Sequence, residues 1–122
     1  MDALAVDALA ASPGPQHMLA LERANQVRLA RAALKKRVAS GKTDAAEVVL
    51  ACPWEAESMS VSELLMSQRR WGRTRCRKFL MSIGLPEGKT LSTLTERQRV
   101  TLAALLTAKA QAARAQARRE RV

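Results

Sequence analysis

The sequence has few of the residues that catalytic and metal sites use most often. It holds one histidine, His17, and two cysteines, Cys52 and Cys76, among 122 residues. These three side chains cannot supply a tetrahedral set at zinc-finger spacing, and no Ser–His–Asp set is available away from His17. A glycine-rich phosphate-binding signature is also absent. We therefore predict a protein that is not an enzyme and that has no metal, cofactor or small-molecule substrate.

Disulfides and membrane segments are equally hard to find. Two cysteines are too few for the disulfide framework of a small secreted protein, so both are expected to be reduced and buried. The longest apolar runs, residues 48–52 and 102–106, are far shorter than the roughly 18 residues that a membrane-spanning helix needs. The N-terminal apolar stretch lacks a basic region before it, unlike a signal peptide. These features predict a cytoplasmic protein without a membrane partner.

Aromatic side chains are scarce too, and the sequence contains no tyrosine. The aromatic residues are Trp54, Trp71 and Phe79. Proteins that bind single-stranded nucleic acid usually stack the bases on several aromatic faces. A nucleic-acid partner is therefore expected to be a duplex, bound through its backbone.

Positive charge is what the sequence has in excess. Lysine and arginine number 21 against 11 acidic residues, which gives a net charge of +10. Residues 19–40 contain six basic residues and one glutamate, and residues 67–89 contain seven basic residues and one glutamate. Residues 42–63 are acidic, and we expect them to face away from the partner. A charge this large on a small protein is relieved by an anionic partner, which points to nucleic acid.

Hydrophobic spacing predicts an all-α protein, in which a long N-terminal helix packs on a small helical-hairpin domain. Val27, Ala30, Leu34 and Val38 recur every three or four residues, which predicts a helix over residues 18–40. Gly41 stands where a glycine commonly ends a helix. No alternating strand pattern occurs in the sequence.

Shorter helices are predicted after the first one from their end signals. Capping-box patterns occur at residues 44–47, 60–63 and 95–98, each of which predicts a helix start. A further helix is expected over residues 73–83, with Gly84 at its end. Together these elements define a predicted domain over residues 18–106.

The two ends of the sequence are expected to lie outside that domain. Residues 1–17 contain the turn-forming run 12–15 and are predicted to be a disordered leader, with Met18 as a candidate translation start. Residues 107–122 are rich in alanine and arginine. Since they lack large apolar side chains, they either prolong the last helix or fray.

The most informative cluster is the run of basic residues around the start of the 73–83 helix. A glycine just before a helix, here Gly72, allows close approach of an anion to the unpaired N–H groups of the first turn. Basic residues at this end oppose the helix dipole, so Arg73 and Arg75 are best explained by a phosphate that binds there. The alternative is a solvated basic helix start. Trp71 is expected either to pack on the core or to wedge into a minor groove.

A second basic stripe lies on the first helix. Arg28, Arg31 and Lys35 share one face, and Glu22 is the only acidic residue of the helix. This stripe is either a solvated face or a second contact with the nucleic acid.

The sequence resembles the actinobacterial integration host factors, a family with a helix-two-turns-helix fold. The resemblance rests on Ser40–Gly41, on the segment Met59–Leu65, and on the run from Gly72 to Leu85 followed by Leu94, Thr95 and Gln98. It implies a nucleoid-associated protein that binds double-stranded DNA with little sequence preference, bends it and assists a phage integrase. The same hairpin occurs in a small-subunit ribosomal protein, so binding to structured RNA or the ribosome is the alternative.

The resemblance also implies roles for particular residues. Gly72, Arg73 and Arg75 would hold a minor-groove phosphate, and the stripe on the first helix would touch DNA at a second place. The family's hairpin has Gly-x-Gly, whereas this sequence has Arg70 at the first glycine position, which would be strained if it requires a positive φ. The predicted nucleic-acid-binding residues are Arg69, Arg70, Gly72, Arg73, Arg75, Lys78, Arg28, Arg31 and Lys35.

Overall fold

The computed structural model describes residues 15–121, which form five α-helices. The helices are α1 (Pro15–Ala39), α2 (Ala45–Ala51), α3 (Val61–Ser67), α4 (Arg73–Ile83) and α5 (Glu96–Arg121), with short 3₁₀ turns at Trp54–Ala56 and Leu91–Thr93. Within this part of the chain the only β-type pairing is one isolated antiparallel bridge between Ser60 and Thr90. The predicted all-α fold, a long first helix on a small helical domain, is confirmed.

Helix α1 begins earlier than the sequence pattern predicts. It starts at Pro15, three residues before the expected start at Met18. Proline is favoured in the first turn of a helix because it has no N–H to leave unpaired there. Residues 15–17 of the predicted leader are therefore helical, and residues 1–14 lie outside the described part of the chain.

The predicted apolar face of α1 contacts the core. Leu34 and Val38 are buried, while Val27 and Ala30 are half-buried. The helix stops where expected, because Gly41 adopts a φ of +82°, a conformation that glycine tolerates better than other residues. The last buried turn of α1 thus leads directly into the loop before α2.

The capping box predicted at the start of α2 is wrong. Asp44 occupies the N-cap position, but its side chain makes no capping hydrogen bond. Its carboxylate instead lies 3.5 Å from the guanidinium of Arg114, which is 70 residues away in sequence. The other end of the helix is as predicted, since α2 ends just before Pro53.

The other two capping boxes form, one only in part. At the start of α5, Thr95 and Gln98 exchange side-chain-to-backbone hydrogen bonds of 3.0 and 3.1 Å, a complete capping box. At the start of α3, the Ser60 hydroxyl accepts a hydrogen bond from the Glu63 N–H, but the Glu63 carboxylate turns away to Lys35. Two of the three predicted helix starts are therefore held as the sequence indicates.

A single apolar core lies between the helices. Helix α2 packs along α5, α1 packs on α3 and on the turn Trp54–Ala56, and α3 packs on α4. The largest completely buried side chains are Leu34, Met59, Leu64, Leu65, Leu80, Leu91 and Leu102. Burial of these side chains, at about 25 cal/mol per Å² of apolar surface, supplies the main stabilising term.

One half-buried arginine ties three elements of the core together. The guanidinium of Arg99 on α5 donates hydrogen bonds to the carbonyl oxygens of Val49 (2.6 Å), Leu91 (2.9 Å) and Leu94 (3.4 Å). The Val49 carbonyl belongs to α2, the Leu91 carbonyl belongs to the turn Leu91–Thr93, and Leu94 is the residue that follows this turn. Arg99 therefore has a structural role, which its sequence position does not reveal.

The two long helices extend beyond the core. The first buried residue of α1 is Leu34, and the last buried residue of α5 is Leu106. Residues 107–121 prolong α5 as a continuous helix, which decides between the two predicted states of the tail in favour of helix. Among the described residues, no helix combines the length and the apolar character that crossing a bilayer requires.

The two cysteines are both free, as predicted. Only Cys76 is buried, and Cys52 at the end of α2 is half-buried, so the prediction of burial holds for one of them. Burial raises the pKa of the Cys76 thiol above its ordinary value, and a contact with the Ser62 hydroxyl lowers it in part. Burial and the raised pKa both disfavour reaction of the Cys76 thiol.

Candidate nucleic-acid interface

The basic cluster predicted from the sequence forms the connection between α3 and α4. After α3 ends, the Trp71 N–H donates a 3.2 Å hydrogen bond to the Gln68 carbonyl and closes a tight turn. Gly72 then forms the N-cap of α4. The side chains of Arg69, Arg70 and Arg73 are exposed. The hairpin thus presents its positive charge to solvent.

The strained position of this loop is Arg70, and not the glycine that follows. Arg70 has a φ of +69°, in the left-handed region, whereas Gly72 has an ordinary extended φ of −85°. A non-glycine residue in the left-handed region costs about 1–2 kcal/mol, and such strain persists where the surrounding structure fixes the backbone. The sequence raised this possibility, and the structure shows that Arg70 does have a positive φ.

Open space lies in front of Gly72. A Cβ atom built on Gly72 would meet no atom within 4 Å. Because glycine has no side chain, no side-chain hydrogen bond caps the start of α4 at this position. The first N–H groups of a helix have no partner within that helix, and together with the helix dipole they attract anions. The start of α4 therefore has both the room and the polarity to receive a phosphate.

Trp71 packs within the protein. Its ring is half-buried and meets Phe79 edge to face, with ring centroids 5.3 Å apart. The Arg75 guanidinium also lies over this ring, 4.3 Å from its centroid. The packing role is thus confirmed for Trp71, and through Arg75 the same ring also positions one basic residue of the interface.

The hairpin also forms one wall of a groove that the sequence did not reveal. This groove, of about 510 Å³, runs between the end of α1, the loop 68–71 and the outer part of α5. Its basic lining residues are Arg69, Arg70, Arg75, Lys109 and Arg114, and its acidic ones are Asp44 and Glu120. Lys109 and Arg114 were not among the predicted site residues.

A second groove lies beside the first and shares Arg75 and Lys109 with it. It has a volume of about 740 Å³ and lies between α4 and α5, with Lys78 and Phe79 in its lining. The Lys109 ammonium lies 5.5 Å from the Phe79 ring centroid. A helical repeat does continue past Leu106, through Ala110, Ala113 and Ala117, and it could have indicated that α5 stays beside the hairpin.

The predicted stripe on α1 divides into free and engaged residues. Arg28 and Arg31 line a shallow groove on α1. Arg31 also donates to the Ser58 hydroxyl and to the Glu55 carbonyl oxygen. Lys35 forms an ion pair with Glu63 at 3.0 Å, so the acidic segment is not turned away from this part of α1 as expected. The groove on α1 and the two grooves beside the hairpin have no lining residue in common that would join this stripe to the hairpin.

The predicted basic residues of the hairpin take part in no ion pair among the described residues. Residues 15–121 contain four ion pairs, which are Lys35–Glu63, Arg37–Glu55, Arg77–Glu87 and Arg114–Asp44. None of them uses a predicted hairpin residue, that is, Arg69, Arg70, Arg73, Arg75 or Lys78. Within the same residues, no cluster of three or more His, Cys, Asp or Glu side chains could hold a metal ion.

These features define an all-α protein with a long first helix and a basic hairpin, whose loop residue Arg70 has a positive φ. The solved structure of sIHF bound to an 8-base-pair palindromic DNA has the same fold. The two align with a TM-score of 0.64 and 25% sequence identity, over 70% of this chain and 98% of sIHF. No protein-family model and no curated protein matches the sequence. The likeness to an integration-host-factor fold, expected from the hairpin sequence, is therefore confirmed at the level of structure.

Proposed function

We propose that this chain is an architectural protein that binds double-stranded DNA through its phosphates and bends it, with little sequence preference. The observation that carries this proposal is the group of exposed basic side chains of the hairpin that form no ion pair, at a helix start with open space before it. The fold adds support, since sIHF was solved on DNA and shares it over nearly its whole length. Binding would release counterions from the duplex, which makes affinity depend steeply on salt.

Bending follows from two contacts on one rigid body. The hairpin would touch the phosphates of the duplex at one place, and Arg28 with Arg31 would touch them at a second place. Val38 lines the hairpin groove, and ten residues of helix separate it from Arg28, which is about 15 Å along α1. Bending DNA by 40–90° costs roughly 1–6 kcal/mol, and the additional phosphate contacts offset that cost.

The contacts of α1 are unequal in this proposal. Arg28 is exposed and forms none of the four ion pairs of residues 15–121, so its charge is available to a phosphate. Lys35 is paired with Glu63 and contributes less. At the hairpin, Gly72, Arg73 and Arg75 would hold a minor-groove phosphate in this proposal. A bent duplex of this kind is what a nucleoid-associated protein, or a helper of an integrase, would supply.

The test is a gel shift on duplex DNA with the Arg73→Ala/Arg75→Ala variant. About five phosphate contacts give a log–log salt slope near −4.5, and loss of two reduces its magnitude by about 1.8. The matched control is Lys36→Ala/Arg97→Ala, which removes the same charge from exposed positions outside the hairpin. Wild-type affinity that is insensitive to salt, or equal effects of the two variants, would overturn the proposal.

Structured RNA is the competing ligand, because phosphate contacts alone do not distinguish the two duplexes. Competition between duplex DNA and a structured RNA at equal salt decides between them. We expect duplex DNA to displace labelled DNA at lower concentration than RNA does. Bending is measured separately, from the change in end-to-end energy transfer in a doubly labelled duplex.

A further inference from the structure

We propose that residues 107–121 of α5, the outer α5, form a third DNA-contact surface that continues the hairpin groove and lengthens the bound duplex. This inference rests on the proposed function. It assigns a binding role to a segment for which the sequence pattern predicted only a helical or frayed tail. Three features of the described residues support it, and each concerns the position of charge relative to the hairpin.

The first feature is the groove that the outer α5 shares with the hairpin. Arg69, Arg70 and Arg75 line one side of it, and Lys109 and Arg114 approach from α5. Between these two sets, α5 presents alanines at positions 110, 113 and 117. Such short side chains let a phosphate backbone lie close to the helix. A groove with basic residues on both sides and alanines between them has a form that a nucleic-acid strand would fill.

The second feature is the arrangement of arginines further along the helix. Arg114, Arg118 and Arg121 are spaced by four and three residues, so they share one face, and they line a further shallow groove of about 380 Å³ together with Ala117. The helix dipole favours arginines in the last turn, wherever they lie around the axis. It does not explain their alignment with Arg114 on one face, where like charges repel one another.

The third feature is the weakness of the acidic partners nearby. The Glu120 carboxylate accepts a hydrogen bond from the Gln116 amide, and it forms none of the ion pairs in residues 15–121. The Arg114–Asp44 contact measures 3.5 Å between side chains that are 64% and 48% exposed. Exposed pairs of this kind contribute little to stability, so a phosphate can replace Asp44 as the partner of Arg114.

The geometry gives the length of the added contact. Fifteen helical residues span about 22 Å, which corresponds to six or seven base pairs at about 3.4 Å per base pair. The hairpin and α1 contacts should therefore fit on a short duplex, and the outer α5 contacts should need a longer one. Duplex length becomes the variable that separates them.

The experiment compares two duplexes, one of 8 base pairs, the length on which sIHF was solved, and one of about 20. The full chain and its Arg114→Gln/Arg118→Gln/Arg121→Gln variant are titrated on both. On the long duplex the variant should bind at least about tenfold more weakly, with a salt slope smaller by about 2.7 for three lost contacts. On the short duplex the two proteins should differ by less than about threefold, because Arg114 lines the hairpin groove but Arg118 and Arg121 then have no DNA to touch.

Two matched variants distinguish the loss of a DNA contact from a general loss of positive charge, and circular dichroism detects any loss of helix. Lys36→Gln/Lys42→Gln/Arg97→Gln removes the same charge outside both hairpin grooves and should weaken binding equally on the two duplexes. Replacing the three outer arginines by lysine keeps the charge and should retain most of the affinity for the long duplex. Circular dichroism should show unchanged helix content in all variants, since glutamine and lysine are good helix formers.

The outcomes distinguish this inference from the proposed function. If the wild-type chain binds neither duplex, the proposed function fails, and the inference fails with it. If the wild type binds both duplexes but the outer-arginine variant is weakened equally on each, or on neither, only the inference is overturned. Selective weakening on the long duplex supports both.

Discussion

The guanidinium of Arg75 lies over the ring of Trp71, 4.3 Å from its centroid, so an aromatic residue of the loop holds a basic residue of the candidate interface in place. Trp71 is in turn fixed by its edge-to-face contact with Phe79, whose side chain is buried in the core. The position of the Arg75 charge therefore depends on apolar packing, and its contribution to binding should change when that packing changes.

Replacement of Trp71 by alanine should affect both stability and DNA binding. A half-buried indole makes roughly half the contacts of a buried one, so we expect the free energy of unfolding to fall by about 2 kcal/mol. Affinity for duplex DNA should fall several-fold, because Arg75 loses its platform. Trp71→Phe keeps an aromatic face and should retain most of both properties. Urea denaturation and gel shifts measure the two effects, and an alanine variant with unchanged affinity would contradict the positioning role.

Replacement of Arg70 by glycine should separate backbone strain from side-chain charge. Relief of the left-handed strain is worth about 1–2 kcal/mol, less the greater chain entropy of glycine in the unfolded state, about 0.4–1 kcal/mol. We expect a net gain in stability of about 0–1.6 kcal/mol and a weaker affinity, with the salt slope reduced by about 0.9.

Arg69→Gly provides the control for Arg70→Gly, because Arg69 is a neighbouring exposed arginine whose φ is not positive. It removes the same charge and should destabilise the protein. A gain in stability for Arg69→Gly equal to that for Arg70→Gly would show that the strain argument is wrong.

Replacement of Glu63 by glutamine should strengthen DNA binding. The Glu63 carboxylate holds the Lys35 ammonium at 3.0 Å, and its loss would release that charge to a phosphate. We expect affinity to rise about two- to threefold and the salt slope to steepen by up to about 0.9. Glu57→Gln makes the same change of charge at an exposed position that takes part in none of the ion pairs of residues 15–121. Equal gains from the two variants would mean that net charge, and not Lys35, is responsible.

Replacement of Arg99 by methionine should destabilise the fold and leave the interface intact. It leaves the carbonyls of Val49, Leu91 and Leu94 without their common donor. Hydrogen bonds to a charged group contribute about 1.5–3 kcal/mol each, and partial replacement by water reduces the total, so we expect a loss of about 3 kcal/mol. Lysine should rescue only part, since it lacks the planar fork. Affinity measured where the variant is folded should be unchanged; a proportionate loss would place Arg99 in the interface.

Local signals in the sequence predicted the local features of the structure. The Thr95–Gln98 capping box and the helix-ending glycines at positions 41 and 84 depend on residues a few positions apart, and all are found. After Gly84, the Leu85 N–H also donates a hydrogen bond to the Leu80 carbonyl oxygen at 3.0 Å. Such features do not depend on the packing of distant elements, which is why the sequence is sufficient.

The features that the sequence did not predict depend on residues far apart in the chain. Asp44 does not cap α2, and its carboxylate lies instead 3.5 Å from Arg114, which is 70 residues away in sequence. Lys35 is engaged because α1 packs on α3, which brings Glu63 beside it. Lys109 joins the hairpin only because α5 remains helical and packs along α2. Each of these contacts becomes visible only when the helices are assembled.

The left-handed backbone at Arg70 has a consequence for the thermodynamics of association. Because no glycine stands at this position, the bend of the loop is fixed by its tight turn and by the packing of Trp71, and not by freedom of the chain. The loop has thus given up its conformational entropy when the protein folds. A ligand that meets it need not order it again, so more of the interaction energy remains as affinity, as in other preorganised binding sites.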